Sequence, residues 1–134
     1  MMLTASQRNL LGMIAGAAAL PEVLDAIVRM VEAEAPDMLC SILLADGSGK
    51  RLRQASSSAS LAEFSAEIDG EPIGPTAGSC GTAAYRRQLV VVRDIAVDPL
   101  WAMYRDLALR HKLRAGWSQP ILSFQEKLLG TFAM

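Results

Sequence analysis

Leu20, Val23, Leu24, Ile27 and Val31 recur at helical spacing, and Glu22, Asp25, Arg29 and Glu32 fall on the opposite side. That alternation predicts an amphipathic helix beginning at Pro21, which suits a first turn, and running to about Glu34, where Pro36 forces a stop. Asp25 and Arg29 are spaced for an i,i+4 ion pair. Residues 6–18 predict an earlier helix, weakened by Gly12 and Gly16. Leu10 to Leu20 follows Arg8 and ends in small residues, as a secretory signal would. The run is too short to cross a bilayer, which takes about 20 apolar residues. Its periodicity also continues as far as Val31, so an amphipathic or buried helix is expected, with no membrane insertion.

The period then changes. Met38 to Ala45 is apolar on both alternating sets and predicts a central strand covered on both faces. Asp46-Gly47-Ser48-Gly49 makes a turn, and Lys50 to about Ala55 returns as a more polar strand. Ser60 is positioned to cap a short helix through about Glu67, and Asp69 to Pro75 forms an irregular approach. Ser79 to Arg87 predicts a helix that opens on small residues, Gly78-Ser79-Cys80-Gly81-Thr82. Leu89 to Ile95 predicts a strand. Asp98-Pro99 starts another helix, running to about residue 112, on which Leu100, Tyr104, Leu107 and His111 share one face. Ala115 to Phe124 and Leu128 to Met134 complete a hairpin around Gln125-Glu126-Lys127. Helices inserted among antiparallel strands give an α+β class. The last strand signal runs to Met134 without a turn or cap, so residues 1–134 are expected to be one domain truncated at its C-terminal end.

Composition narrows the function. Apolar residues make up 51% and charged residues 20%, which predicts a globular chain and excludes disorder. Thirteen basic residues nearly cancel fourteen acidic ones, so no cationic field exists to attract nucleic acid. Cys40 and Cys80 stand far apart with no Cys/His cluster, which argues against a metal site or a disulfide. They are expected as half-buried small apolar residues in a reducing cytoplasm.

Spaced motifs carry a resemblance. Gly74-Pro75, Gly78 to Ala84, Asp94-Ile95, Asp98-Pro99, Trp101, Leu113-Arg114-Ala115, Trp117-Ser118, Pro120-Ile121 and Leu129 to Ala133 resemble the GAF domains of bacterial sensor kinases and of cyclic-di-GMP cyclases and phosphodiesterases. The resemblance covers most of residues 20–134. It implies a GAF-like antiparallel sheet of about five strands, with N-terminal helices on one face, pocket-forming helices on the other, and the family's closing helix missing. Two departures stand out. Gly116 replaces a cysteine usual in that subgroup, and Lys112 replaces a common helix-ending glycine at some cost to the cap.

Candidate chemistry gathers where the motifs do. Ser79, Gly81 and Thr82 open a helix whose free N–H groups suit an anionic or carbonyl-bearing ligand, or they serve only close helix–sheet packing. Trp101, Tyr104 and Trp117 suit a pocket wall or a core equally. Strand alternation sends Trp117 and Ser118 to opposite faces, so at most one of them meets a pocket directly. His111 suits a heme or tetrapyrrole, as in some relatives, or a structural hydrogen bond near a helix end. A Ser79–His111–Asp94 triad has no spacing to orient it, and Gly-Ser-Cys-Gly is not a nucleophile elbow.

The expected function is therefore a non-catalytic sensory domain of a bacterial signal-transduction protein in the cytoplasm. Its ligand-binding residues are Ser79, Cys80, Thr82, Trp101, Tyr104, His111, Trp117 and Ser118, with no cofactor assigned. Its expected partners are an unidentified small molecule, an output kinase or cyclic-di-GMP enzyme, and a second copy in a homodimer. The alternatives are a dimerisation platform with a vestigial pocket and, more remotely, a cysteine-dependent reductase of free methionine sulfoxide.

Overall fold

A computed structural model describes residues 4–134. Helix α1 (Ala5–Ala15) opens with Thr4 Oγ1 accepting from the Gln7 N–H while the Gln7 side chain accepts from the Thr4 N–H. It ends three residues before the expected 18, because Gly16 closes it and Ala17 takes a left-handed φ of 58°. α1 packs on α2 (Leu20–Glu34) and is otherwise exposed, with Leu11 and Ile14 on its surface; it is not a buried helix. On α2 the buried stripe is Val23, Leu24 and Val28, and Leu20 is exposed at the start of the helix. Asp25 does not take up Arg29; its carboxylate accepts instead from Ser56 Oγ at 2.6 Å.

Five strands form one antiparallel sheet in the order β2-β1-β5-β4-β3: β1 Ser41–Ala45, β2 Leu52–Ser57, β3 Val90–Val92, β4 Gly116–Leu122 and β5 Leu128–Ala133. The sheet and its class are as expected, though the middle place belongs to β5 and β1 lies beside it. β1 starts at Ser41, not Met38, because Ser41 lies opposite Ala133, the last residue of β5; Met38 and Leu39 are left exposed. β3 is an edge strand of three residues. Beyond Val92 the chain bends, and the Asp94 side chain accepts from the Ala96 N–H, so the strand stops before Ile95. In the β4–β5 turn Ser123 Oγ accepts from the N–H groups of Gln125 and Lys127, and Phe124 is fully exposed there rather than in the strand.

The remaining helices are short. A 3-10 turn at Ala59–Leu61 precedes α3 (Ala62–Glu67). Ser60 therefore does not cap; the residue before that turn is Ser58, whose Oγ accepts from the Cys40 N–H. Helix α4 spans Gly78–Arg86. The expected helix from Asp98 is broken in two, a 3-10 turn at Pro99–Trp101 and α5 at Arg105–Arg110. Asp98 does cap the first piece, accepting from the Leu100 N–H. Arg105 fastens the break by donating to the carbonyls of Ile95 and Asp98.

Side-chain alternation divides the core. Ile42 and Phe132 turn toward α2 and meet Leu24, Val28 and Cys40. Leu43 turns the other way, toward Ala84 of α4. Val90 and Val92 share that second face with Phe64, Ile95, Trp101 and Ala108.

Candidate functional site

The second face is not filled. Between it and α3, α4 and the 99–104 segment lies a cavity of about 660 Å³. Leu43, Leu52 and Val92 form apolar floor, and Leu61, Phe64, Ile68, Ile95 and Trp101 form wall. A volume of this size is ordinary for a small-molecule site.

Small residues decide how α4 approaches. Gly78 has φ 68°, and a Cβ there would stand 3.7 Å from the Trp101 ring. A Cβ on Gly81 would stand 2.5 Å from that of Ala77. The Trp101 indole N–H donates to Ser79 Oγ at 3.0 Å, which locks the ring against the start of α4. Thr82 is fully buried, and its Oγ1 accepts from the Ala77 N–H. Close packing thus accounts for Gly81 and Thr82.

Of the eight expected site residues, Ser79, Cys80, Trp101, Tyr104, Trp117 and Ser118 border the cavity. Thr82 does not, because its hydroxyl is spent on the turn before α4. His111 does not either: its Nε2 lies 3.3 Å from Glu67 Oε1 and its ring stands edge-on to Phe64. Trp117 borders the cavity, but its ring packs 5.8 Å from that of Phe132, on the α2 side. Ser118 faces the opposite way, as alternation requires, with its Oγ 3.0 Å from Cys80 Sγ. Burial raises the Cys80 thiol above its ordinary range, and the Ser118 hydroxyl opposes that rise. Tyr104 is raised as well, by burial first and then by Glu71, whose carboxylate accepts its hydroxyl at 3.2 Å.

Cys40 is fully buried, not half-buried, and sits on the α2 side within reach of the Val28 carbonyl. Its thiol too is raised, chiefly by burial. The two cysteines lie in clusters on opposite faces of the sheet and are unpaired.

Several wall residues escaped the sequence reading. Leu61, Phe64 and Ile68 come from a 3-10 turn, the short helix after it and that helix's exit, where no period announces a wall. Arg93, Lys112 and Arg114 border the cavity as well. Lys112 and Arg114 flank the expected end of a helix, but Arg93 lies within an expected strand, and no local pattern brings the three together. Among the described residues no group of acidic, histidine and cysteine side chains is arranged to hold a metal, and no helix is long and apolar enough to cross a membrane.

The family model for the GAF domain matches residues 5–134. The chain is similar to the methyl sulfide methyltransferase-associated sensor of Methanosarcina acetivorans, 33% identical over 129 residues. That match takes in 96% of this chain and 13% of the relative, so the chain spans about an eighth of that protein's length. Among solved structures it is similar to the GAF domain of a phosphoenolpyruvate-protein phosphotransferase from Coxiella burnetii (16% identical, TM-score 0.68, covering 94% of this chain and 72% of that one). It is equally similar to the free methionine-R-sulfoxide reductase of Neisseria meningitidis in complex with its substrate (17%, TM-score 0.68, 94% and 68%).

Proposed function

This chain belongs to the GAF domain family, and from that premise we propose that it is a non-catalytic sensory domain whose ligand occupies the cavity between the sheet and α3, α4 and the 99–104 segment. One observation carries the reading: about 660 Å³ stays open under α3, α4 and Trp101, whereas beneath α2 the sheet is packed shut around Leu24, Val28, Cys40 and Ile42. A vestigial pocket filled by its own side chains would leave no such volume. A ligand there touches α3 through Phe64, α4 through Ser79 and Cys80, and the 99–104 segment through Trp101 and Tyr104, and these elements relay its occupancy. Such a relay needs a ligand that binds one arrangement better than another. The output domain is a separate part of the signalling protein, in keeping with a relative that is itself named as a sensor and is much longer than this chain.

A reductase reading has less support. The two thiols stand on opposite sides of the sheet, so neither is placed to resolve an intermediate on the other, and burial keeps both protonated at neutral pH. A tetrapyrrole held by His111 is disfavoured because that side chain is turned to Glu67, off the cavity wall.

Native mass spectrometry of the freshly purified chain, followed by a thermal-shift screen of small molecules, tests the reading. A retained mass, or a saturable rise in Tm that is lost when Leu61→Trp narrows the cavity, is the expected result. No bound mass and no shift across a broad library would reject it.

A further inference from the structure

The cavity is apolar inside and cationic along one margin. After β3 the chain carries Arg93 beside the segment that leads into β4: Val92 pairs with Gly116, and the Ile95 N–H donates to the Arg114 carbonyl. Lys112 lies two residues before Arg114, where the chain leaves α5 with φ 64°. Arg93, Lys112 and Arg114 therefore share one edge of the cavity, and all three are exposed. Among the described residues none of the three makes an ion pair or a side-chain hydrogen bond; the recorded ion pairs belong to Arg53, Arg110 and His111. Two carboxylates also border the cavity, and that of Glu71 is engaged by the Tyr104 hydroxyl. Asp37 is the other. The side chains around this cavity thus number three cations against two carboxylates, in a chain whose net charge is −1.

Resting on the sensory reading above, we infer that the cavity takes an amphipathic small-molecule anion. Its apolar ring or chain fills the space between Phe64, Trp101 and Leu43, and its carboxylate-like head meets Arg93, Lys112 and Arg114. The interior suits the body of such a molecule because no charged group lies on the floor, and the buried hydroxyls of Ser79 and Ser118 are already engaged by Trp101 and Cys80. An ionic head would lose its hydration in that interior, so it stays at the rim, where guanidinium groups give paired N–H donors to a carboxylate and solvent still reaches it. A dianion or nucleotide would need more polar wall than the interior provides. Selection among apolar ligands is then electrostatic and sensitive to salt.

The probes are 1-anilinonaphthalene-8-sulfonate and its uncharged parent N-phenyl-1-naphthylamine, titrated by fluorescence into the whole chain and into the variant R93Q/K112N/R114Q. Circular dichroism establishes that the variant is folded; the three side chains are exposed, and asparagine accepts the left-handed backbone at position 112. The anion is expected to lose roughly tenfold or more in affinity in the variant, while the neutral parent changes by less than about twofold. Raising salt from about 0.02 to about 0.5 M weakens the anion alone, and only in the native chain. If both probes bind and the variant leaves the anion unaffected, the charge assignment is wrong and the cavity reading survives. If neither probe binds the native chain, both readings fall.

Discussion

The two faces of the sheet are built from the same strands and behave differently. On the α2 side a fifteen-residue helix lies across β1 and β2, and its branched side chains Leu24 and Val28 interlock with Ile42 and Cys40, all nearly inaccessible. On the other side the cover is α4, two short helices and two 3-10 turns, joined by bends. One long helix can seat itself flat on a sheet; several short pieces pinned by Arg105, Asp98 and Trp101 stand away from it and enclose volume. Buried polar groups stand on both sides: Ser56 and Ser58 meet Asp25 and Cys40 on the α2 side, and Ser79, Thr82, Ser118 and Thr131 lie on the hollow side. Holding a space open is the work of irregular backbone, and closing it is the work of regular helix.

The seam that both faces depend on is the β1–β5 pairing, and breaking it should have the largest effect. A Cβ at Gly130 would stand 2.0 Å from the Leu43 carbonyl oxygen and 2.9 Å from Leu44 Cα, both backbone atoms that cannot swing away. Gly130→Val is expected to cost more than about 3 kcal/mol and to leave little folded protein, checked by circular dichroism and urea titration. A variant that folds with an unchanged urea midpoint would mean that the two strands are less tightly coupled than their register requires.

The contrast itself is measured by two truncations. Ile42→Ala removes a side chain that is 2% exposed from the filled face and is expected to cost about 3 kcal/mol, because nothing collapses into the void. Leu61→Ala on the hollow side should cost about 1–2 kcal/mol, since that side chain already lacks neighbours where it borders the cavity. Urea midpoints at constant slope give both numbers. Equal losses would mean that the cavity wall is as tightly packed as the α2 side, and the comparison would fail.

The filled face and the sheet were legible because they obey simple periods. α2, β1 and the β4–β5 hairpin all form where spacing placed them, with β1 and the hairpin shorter than expected and Val28 added to the α2 stripe. Leu20 shows the limit, because a periodic residue at the first turn of a helix has no neighbour to bury it. The hollow side was legible as motif and only partly as geometry. Strand alternation separated Trp117 from Ser118 correctly, since a period of two allows nothing else. The break between Trp101 and Arg105 was not readable, because it follows from Arg105 reaching the carbonyls of Ile95 and Asp98, contacts invisible to any local pattern. His111 left the wall for the same kind of reason, drawn to Glu67 on a different element.

Alkaline pH tests both faces together. Burial raises Cys40 on one face and Cys80 on the other above the ordinary thiol value of 9.0. In the unfolded chain both thiols ionise first, so their contribution to stability is complete below about pH 9 and is lost as pH rises through the higher folded values. The Tyr104 hydroxyl, also raised, adds to the loss further up the scale. Tm is expected to fall from about pH 9 upward, and C40A/C80S should flatten the first part of that fall. An identical slope in the double variant would place the loss elsewhere.

The smallest effect separates stability from recognition on the hollow side. Lys112, two residues past α5, has φ 64°, a conformation in which any Cβ crowds the backbone. Glycine relieves that strain and gives back part of the gain through the greater freedom of its unfolded chain, so Lys112→Gly should stabilise by at most about 1 kcal/mol. The same substitution removes one of three cations from the cavity margin. A rise of a few degrees in Tm together with weaker binding of 1-anilinonaphthalene-8-sulfonate would mean that this chain keeps a strained lysine for its charge. A stability gain with unchanged binding would leave Arg93 and Arg114 as the whole of the anion-facing edge.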